Sequence, residues 1–401
     1  PAYAMGPVID GRIVTGAPGA VFKRGEAANV PLLIGTTTAD LPTTFPPLKP
    51  SPFAFFGADA KAALALYNPD GKRTPQQTIQ DPGYFMFGNH RFRDDKEGGH
   101  GTVDMYKSIV QSCDTYYYVL ANDMGVDLMH DELQKFGFGS LTGIDIQGEM
   151  RGLLPSTEWK RKAYRRPEQQ KWYSGETISL GIGQGYNNFT MLQLALATAV
   201  IANDGVKMKP HLVREVVDVV TRASRETLKE IKAESIARPE NIAVIKRALV
   251  GVNTEGTGAT AFRGAPYVAA GKTGTAQVVT IKQNEKYNAA RMAERLRDHA
   301  LYMAFAPADN PKIALAMVVE NAGFGGVNAA PIARRVFDYW LLGQVPTPED
   351  MAAVQKGQAG PPGAPRPPAS AASGAAGAAP AKPPESPPDA PQASQGPRTT
   401  G

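Results

Sequence analysis

The sequence predicts an α+β domain over residues 74–344, an antiparallel sheet with helices packed on both faces. Three observations carry this. TMLQLALATAVIANDG places Leu192, Ala195, Leu196, Ala199 and Val200 at helical spacing and stops at Gly205. ALYMAFAPA and KIALAMVVEN, separated by the turn Asp309-Asn310-Pro311, read as an antiparallel hairpin. AAPIARRVFDYWLL closes the domain, and helix, strands, helix is the order of a sheet covered by helices.

The other elements follow in chain order. PVIDGRIVTGAPGAVFKRGEAANVPLLIGTTT, within residues 1–72, reads as strand, helix and apolar strand, the alternation of a parallel sheet. The texture changes near NPDGKRTPQQ. VDMYKSIVQ and TYYYVLANDMG read as two helical stretches flanking Ser112-Cys113-Asp114. NIAVIKRALVGV is a helix whose buried side carries Ile242, Ile245 and Leu249, and YVAAGKTGTAQVVT is a strand. From about Val345 the chain turns Pro- and Ala-rich, which predicts a disordered tail over 345–401.

Composition excludes several classes. The chain of 401 residues, 42% hydrophobic, is long enough to bury one large core or two ordinary ones. A single cysteine rules out an internal disulfide framework. Lys and Arg (43) nearly balance Asp and Glu (38) without an aromatic-flanked basic stripe, so nucleic acid is not an indicated partner. The densest basic run, KRKAYRRPEQQK at 160–171, suits either a solvated loop or an anionic surface. No segment approaches the ~18 apolar residues of a membrane span, so no anchor is predicted within the chain.

Chemistry concentrates in two short motifs. In GKTGTAQ, strand alternation puts Lys272 and Gly274 on one face and Thr273 and Thr275 on the other. Gly274 permits close approach of a ligand backbone, and an ammonium with hydroxyls beside it suits a carboxylate. An ordinary edge strand fits the same letters. In SCD, Ser112 could relay a proton and Asp114 could hydrogen-bond a substrate, with helix capping by both residues as the more ordinary account of the same letters.

With these motifs in place, the stretches DPGYF, RFRDD, SCDT, FGFGSLTGIDI, GLLPSTEWK, TISLGIGQGY, GKTGTAQ and RLRDHALYMAFAPA, in one order over about 270 residues, resemble the transpeptidase domain of class B, elongation-type penicillin-binding proteins (the penicillin-binding protein 2 family). The resemblance implies the penicillin-binding/β-lactamase-like fold and D,D-transpeptidase chemistry, in which a serine attacks the D-Ala-D-Ala end of a peptidoglycan stem and the acyl group passes to a neighbouring amine. It implies peptidoglycan stems and β-lactams as ligands, membrane proteins of the elongation complex as partners, and the periplasmic face of the inner membrane as location. By position it makes Ser112 the proton-relay serine, Asp114 the third member of that motif and Lys272 the group that tunes it. Thr273, Gly274 and Thr275 become the carboxylate-binding strand, with the Thr275 amide at the oxyanion.

That family uses a Ser-x-x-Lys motif, and no serine of this chain has lysine three residues later. The domain is therefore expected to lack its nucleophile and to be incomplete on its N-terminal side. Residues 1–72 instead resemble a type B carboxylesterase fragment, an α/β-hydrolase segment through GAVFKRGEAANVPLLIGTTTADLP, with Asp40 near the place of the triad acid and no G-x-S-x-G elbow in the chain. A fusion of the two pieces near residues 70–75 explains both losses. A noncatalytic module binding peptidoglycan or partner proteins, and an esterase remnant, remain the alternatives.

The lone cysteine has a further reading. Asp81, Asp94, His100 and Cys113 follow one another at intervals of 13, 6 and 13 residues, and two carboxylates, an imidazole and a thiolate are zinc ligand types. A small buried core residue is the alternative for Cys113. The family resemblance implies zinc at these four positions, a structural ion beside the catalytic segment.

Overall fold

This computed structural model describes residues 74–226, 233–279 and 287–358. The esterase-like segment 1–72, with Asp40, and the tail from residue 359 lie outside the described residues. Short strands come first: β1 (Ile79–Asp81), the hairpin of β2 (Tyr84–Phe87) and β3 (His90–Arg93), and β4 (Gly101–Val103), which pairs antiparallel with β1. Helices α1 (Met105–Gln111), α2 (Asp114–Met124) and α3 (Val126–Lys135) follow, then α4 (Thr157–Ala163), α5 (Pro167–Gln170), α6 (Ser174–Leu180) and α7 (Met191–Ala202). Two small ladders, β5 (Val206–Met208) with β8 (Ala233–Ser235) and β6 (Glu215–Val217) with β7 (Ser224–Glu226), precede α8 (Pro239–Thr254) and α9 (Ala259–Phe262). The chain then forms β9 (Ala270–Ala276), β10 (His299–Ala306) and β11 (Ile313–Val319), and ends in α10 (Gly325–Asn328), α11 (Ala330–Leu342) and α12 (Pro348–Gln355).

The predicted hairpin is β10 and β11, and β9 pairs antiparallel on the other side of β10. Register opposes Lys272 to Met303, Thr273 to Tyr302 and Gly274 to Leu301, so successive side chains leave on opposite faces. Leu301, Met303 and Phe305 join one core with α1, α2, α7 and α8. Tyr302, Ala304 and Leu315 join a second core with α9, α11 and Val354 of α12. Each fully buried Leu or Phe contributes about 1.5–3 kcal/mol, which holds β9 firmly between two helical layers. The α+β expectation, helices on both faces included, is what folds.

Two expectations need correction. The apolar stripe assigned to α7 is not a stripe: Leu192 and Ala199 are only partly buried, whereas Leu194, Ala197 and Ile201 on its other sides are buried. The helix is apolar all round and lies in the centre of the core, its start fixed by reciprocal bonds between Thr190 and Gln193. The tail expected from residue 345 starts too early. Thr347 and Asp350 exchange hydrogen bonds around Pro348, the first residue of α12, and Val354 is fully buried.

Candidate active site and metal centre

Ser112 is placed by the junction of two helices. α1 starts on Asp104, whose carboxylate accepts from Lys107 N at 2.8 Å, and ends where Ser112 turns left-handed at φ 62°. Ser112 N donates to Ile109 O, and Cys113 N donates to Ser108 O at 2.9 Å. Left-handed backbone at a residue other than glycine costs about 1–3 kcal/mol and is typical of functional sites. Asp114, half-buried, opens α2. Ser112 thus closes α1 through its backbone and Cys113 stands at the N-cap of α2, while the Ser112 side chain reaches elsewhere.

Its partner is Lys272, 1% exposed on β9, whose Nζ donates to Ser112 Oγ at 2.8 Å and to Thr273 O at 2.9 Å. A buried amino group requires such acceptors. The fold thereby joins the two motifs across 160 residues. Thr273 faces the opposite side of the sheet, its hydroxyl 2.6 Å from that of Thr257, and Thr275 is exposed. Sequence reading misses Thr257. It reaches β9 because Gly256 lets the chain pass α1, where a Cβ would stand 2.3 Å from Val110 O. The Glu-Gly-Thr-Gly turn after α8 was the available signal.

Among the described residues β9 is an edge strand of its sheet, so its outer row of backbone groups can pair with an extended ligand. Against it lies Gly325, where a Cβ would come within 2.4 Å of Gly274 O. That contact is set by the turn before it. His299 Nδ1 accepts from Asn321 N at 2.8 Å, Asn321 Nδ2 donates to Arg297 O, and Gly323 N donates to Asp298 O. Burial lowers the His299 pKa, which keeps the ring neutral and Nδ1 an acceptor. His299→Asn retains an acceptor at the place of Nδ1, and His299→Gln moves it outward. The Asn variant is expected to keep the Asn321 amide protected in hydrogen exchange. The Gln variant should lose that protection and about 1–3 kcal/mol, the cost of an orphaned buried donor. Equal protection in both variants would contradict the assignment.

The four ligand-type residues converge. One donor atom from each of Asp81, Asp94, His100 and Cys113 lies within 4.8 Å of the others. His100 Nδ1 is 2.9 Å from Asp81 Oδ2 and 3.2 Å from Asp94 Oδ1, and Cys113 Sγ is 3.4 and 3.5 Å from the two Oδ2 atoms. Donors bound to zinc at about 2.0–2.3 Å stand about 3.3–3.8 Å apart in a tetrahedron. The two sulfur–oxygen distances fall in that range and the two His100 distances are shorter, a compact donor set of the types that a closed four-ligand zinc site uses. The carboxylates are held by backbone amides: Gly83 N and His100 N on Asp81, Thr115 N on Asp94. Burial, and then the Asp94 charge, push the Cys113 thiol up, a penalty that a bound cation reverses.

The penicillin binding protein transpeptidase domain family matches this chain over residues 61–338, more than half its length. The chain belongs to that family. Among penicillin-binding transpeptidases it is similar to peptidoglycan D,D-transpeptidase MrdA of Haemophilus influenzae, 45% identical over 282 residues that make up 69% of this chain and 42% of the relative. The chain thus spans about two fifths of the curated relative it matches. Its structure is similar to Pseudomonas aeruginosa PBP2 in complex with WCK 5153, at TM-score 0.60 and 36% identity, covering 72% of this chain and 59% of that one. It is also similar to Helicobacter pylori PBP2 in complex with MreC, at TM-score 0.61 and 26% identity, covering 73% and 50%. The match starts at residue 61, inside the segment read as esterase-like. Among the described residues no helix is long and apolar enough to cross a membrane.

Proposed function

We propose that this chain is the stem-peptide-binding part of a D,D-transpeptidase for peptidoglycan cross-linking in cell elongation, without the serine that would make it acylate. The observation that carries the reading is the bond from buried Lys272 Nζ to Ser112 Oγ beside an edge strand. In this reading the terminal carboxylate of a stem, or of a β-lactam, meets Thr273 and Thr275, the stem backbone pairs along β9, and the Thr275 amide faces the carbonyl oxygen. Lys272 holds Ser112 where it can pass a proton, and Asp114 bonds the ligand from the first turn of α2.

Asp81, Asp94, His100 and Cys113 would hold zinc. Bound there, zinc supplies charge neutralisation and rigidity rather than a Lewis acid at the substrate, since all four positions of a tetrahedron are protein ligands. Cys113 sits between Ser112 and Asp114, so its anchoring orients both neighbours. The kinship with MrdA and the likeness to PBP2 solved with MreC support partners in the elongation complex and work at the periplasmic face of the inner membrane.

Calorimetric titration of the full chain with a peptide ending in D-Ala-D-Ala tests the reading. Saturable binding is expected, weakened about 10–100-fold in Lys272→Met, which keeps the volume and removes the charged hydrogen bonds. No binding, or equal binding by Lys272→Met and Thr273→Val, would overturn it.

A further inference from the structure

The basic run at 160–171 folds into an exposed ledge on a rigid mount. Residues 161–171 carry five cations against one carboxylate, Glu168, a surplus of four in a chain whose whole surplus is five. Lys162 pairs with Glu158, while Arg161, Arg165, Arg166 and Lys171 are exposed. Beneath them Lys160 is buried, gripped by both carboxylate oxygens of Glu176, which also accepts from the Tyr186 hydroxyl at 2.8 Å. Its Nζ stands 5.4–5.6 Å from the ring centroids of Trp172, Tyr173 and Tyr186. Such a mount is unlike a solvated loop: it holds like charges together, an arrangement that repels itself until an anion arrives.

The ledge lies near the candidate site. Glu176 is in the first turn of α6, and the residue after that helix, Gly181, abuts α2, where a Cβ would stand 2.4 Å from Tyr117 O. At about 1.5 Å per helical residue along α6 and α2, Glu176 lies within roughly 20 Å of Ser112. An extended peptide of about five residues reaches roughly 17 Å.

We infer that this ledge binds carboxylates of peptidoglycan stems neighbouring the one seated at Lys272, so that the chain grips the polymer at two places. The inference rests on the stem-peptide reading of Lys272. A polymer with repeated carboxylates engages both places at once, and the second contact is favoured by high effective concentration. An anionic membrane would match the charge, but residues 161–171 contain no Leu, Ile, Phe or Trp to insert, which leaves that binding to electrostatics alone.

Co-sedimentation of the full chain with purified sacculi tests this, using the variant with Arg161, Arg165, Arg166 and Lys171 all changed to Gln. The variant is expected to bind sacculi roughly tenfold more weakly or worse, with the difference shrinking at high salt. Its affinity for a soluble D-Ala-D-Ala peptide should stay unchanged, which shows that it is folded. Sacculi whose carboxylates have been amidated lose the groups that both places recognise, and should bind the unmodified chain at least as weakly as native sacculi bind the variant. Unchanged sedimentation of the variant would overturn the inference, as would loss of binding to anionic phospholipid vesicles in place of sacculi. Failure of the soluble peptide to bind the unmodified chain would instead count against the reading of Lys272.

Discussion

Stripping metal from the full chain is expected to lower its melting temperature by roughly 8–16 °C. A ligand held at a thousand times its dissociation constant stabilises the native state by about 4 kcal/mol, and each kcal/mol moves a domain of this size by about 2–4 °C. The effect should be large because the metal-free cluster is a poor one: two buried carboxylates face a buried thiol whose pKa burial and Asp94 raise. Purified protein should carry about one zinc per chain, the stoichiometry of a closed site. Cys113→Ser should lose that zinc and resemble chelated protein. Because Cys113 lies between Ser112 and Asp114, the same variant should bind the stem peptide more weakly. A metal-free chain that melts at the same temperature with and without chelator would contradict the assignment.

The second large effect is on acylation. Loss of a serine nucleophile lowers turnover on the order of 10⁶-fold in serine hydrolases, leaving binding largely in place. The family's nucleophile is a serine with a lysine base one helical turn away, and no serine of this chain has that lysine. Ser112 does meet a lysine, but Lys272 reaches it from β9, 160 residues away in the chain, and not from one helical turn along. β-Lactams should therefore bind reversibly and be released intact.

Much of the fold was legible because local pattern and tertiary environment agree. Ile242, Ile245 and Leu249 are the buried face of α8, as their spacing predicts, and the hairpin of β10 and β11 follows from two apolar runs around a short turn. Where environment overrides pattern, the reading fails. α7 is surrounded on all sides, so no stripe distinguishes Leu192 from Leu194. The onset of α12 is hidden by Pro- and Ala-rich composition, although Thr347-Pro348-Glu349-Asp350 marks its start.

The site divides in the same way. The metal quartet is visible as ligand types, but its convergence depends on β-pairing: Asp81 opposite Gly101 sets that carboxylate beside His100. Thr257 and His299 carry no motif, and their roles arise only when β9 meets the turn after α8 and β10 meets the Asn321 turn. Spacing alone could not say that Lys272 and Ser112 touch. Resemblance to the penicillin-binding family implied only that Lys272 tunes Ser112; the 2.8 Å separation comes from the fold.

Intact-mass spectrometry of the full chain after prolonged exposure to a saturating β-lactam tests most directly whether it binds without acylating. The predicted result is an unchanged protein mass, with reversible binding in a parallel titration that Lys272→Met weakens. A mass increase equal to one β-lactam, mapped by peptide analysis to Ser112, would contradict it and make Ser112 the nucleophile.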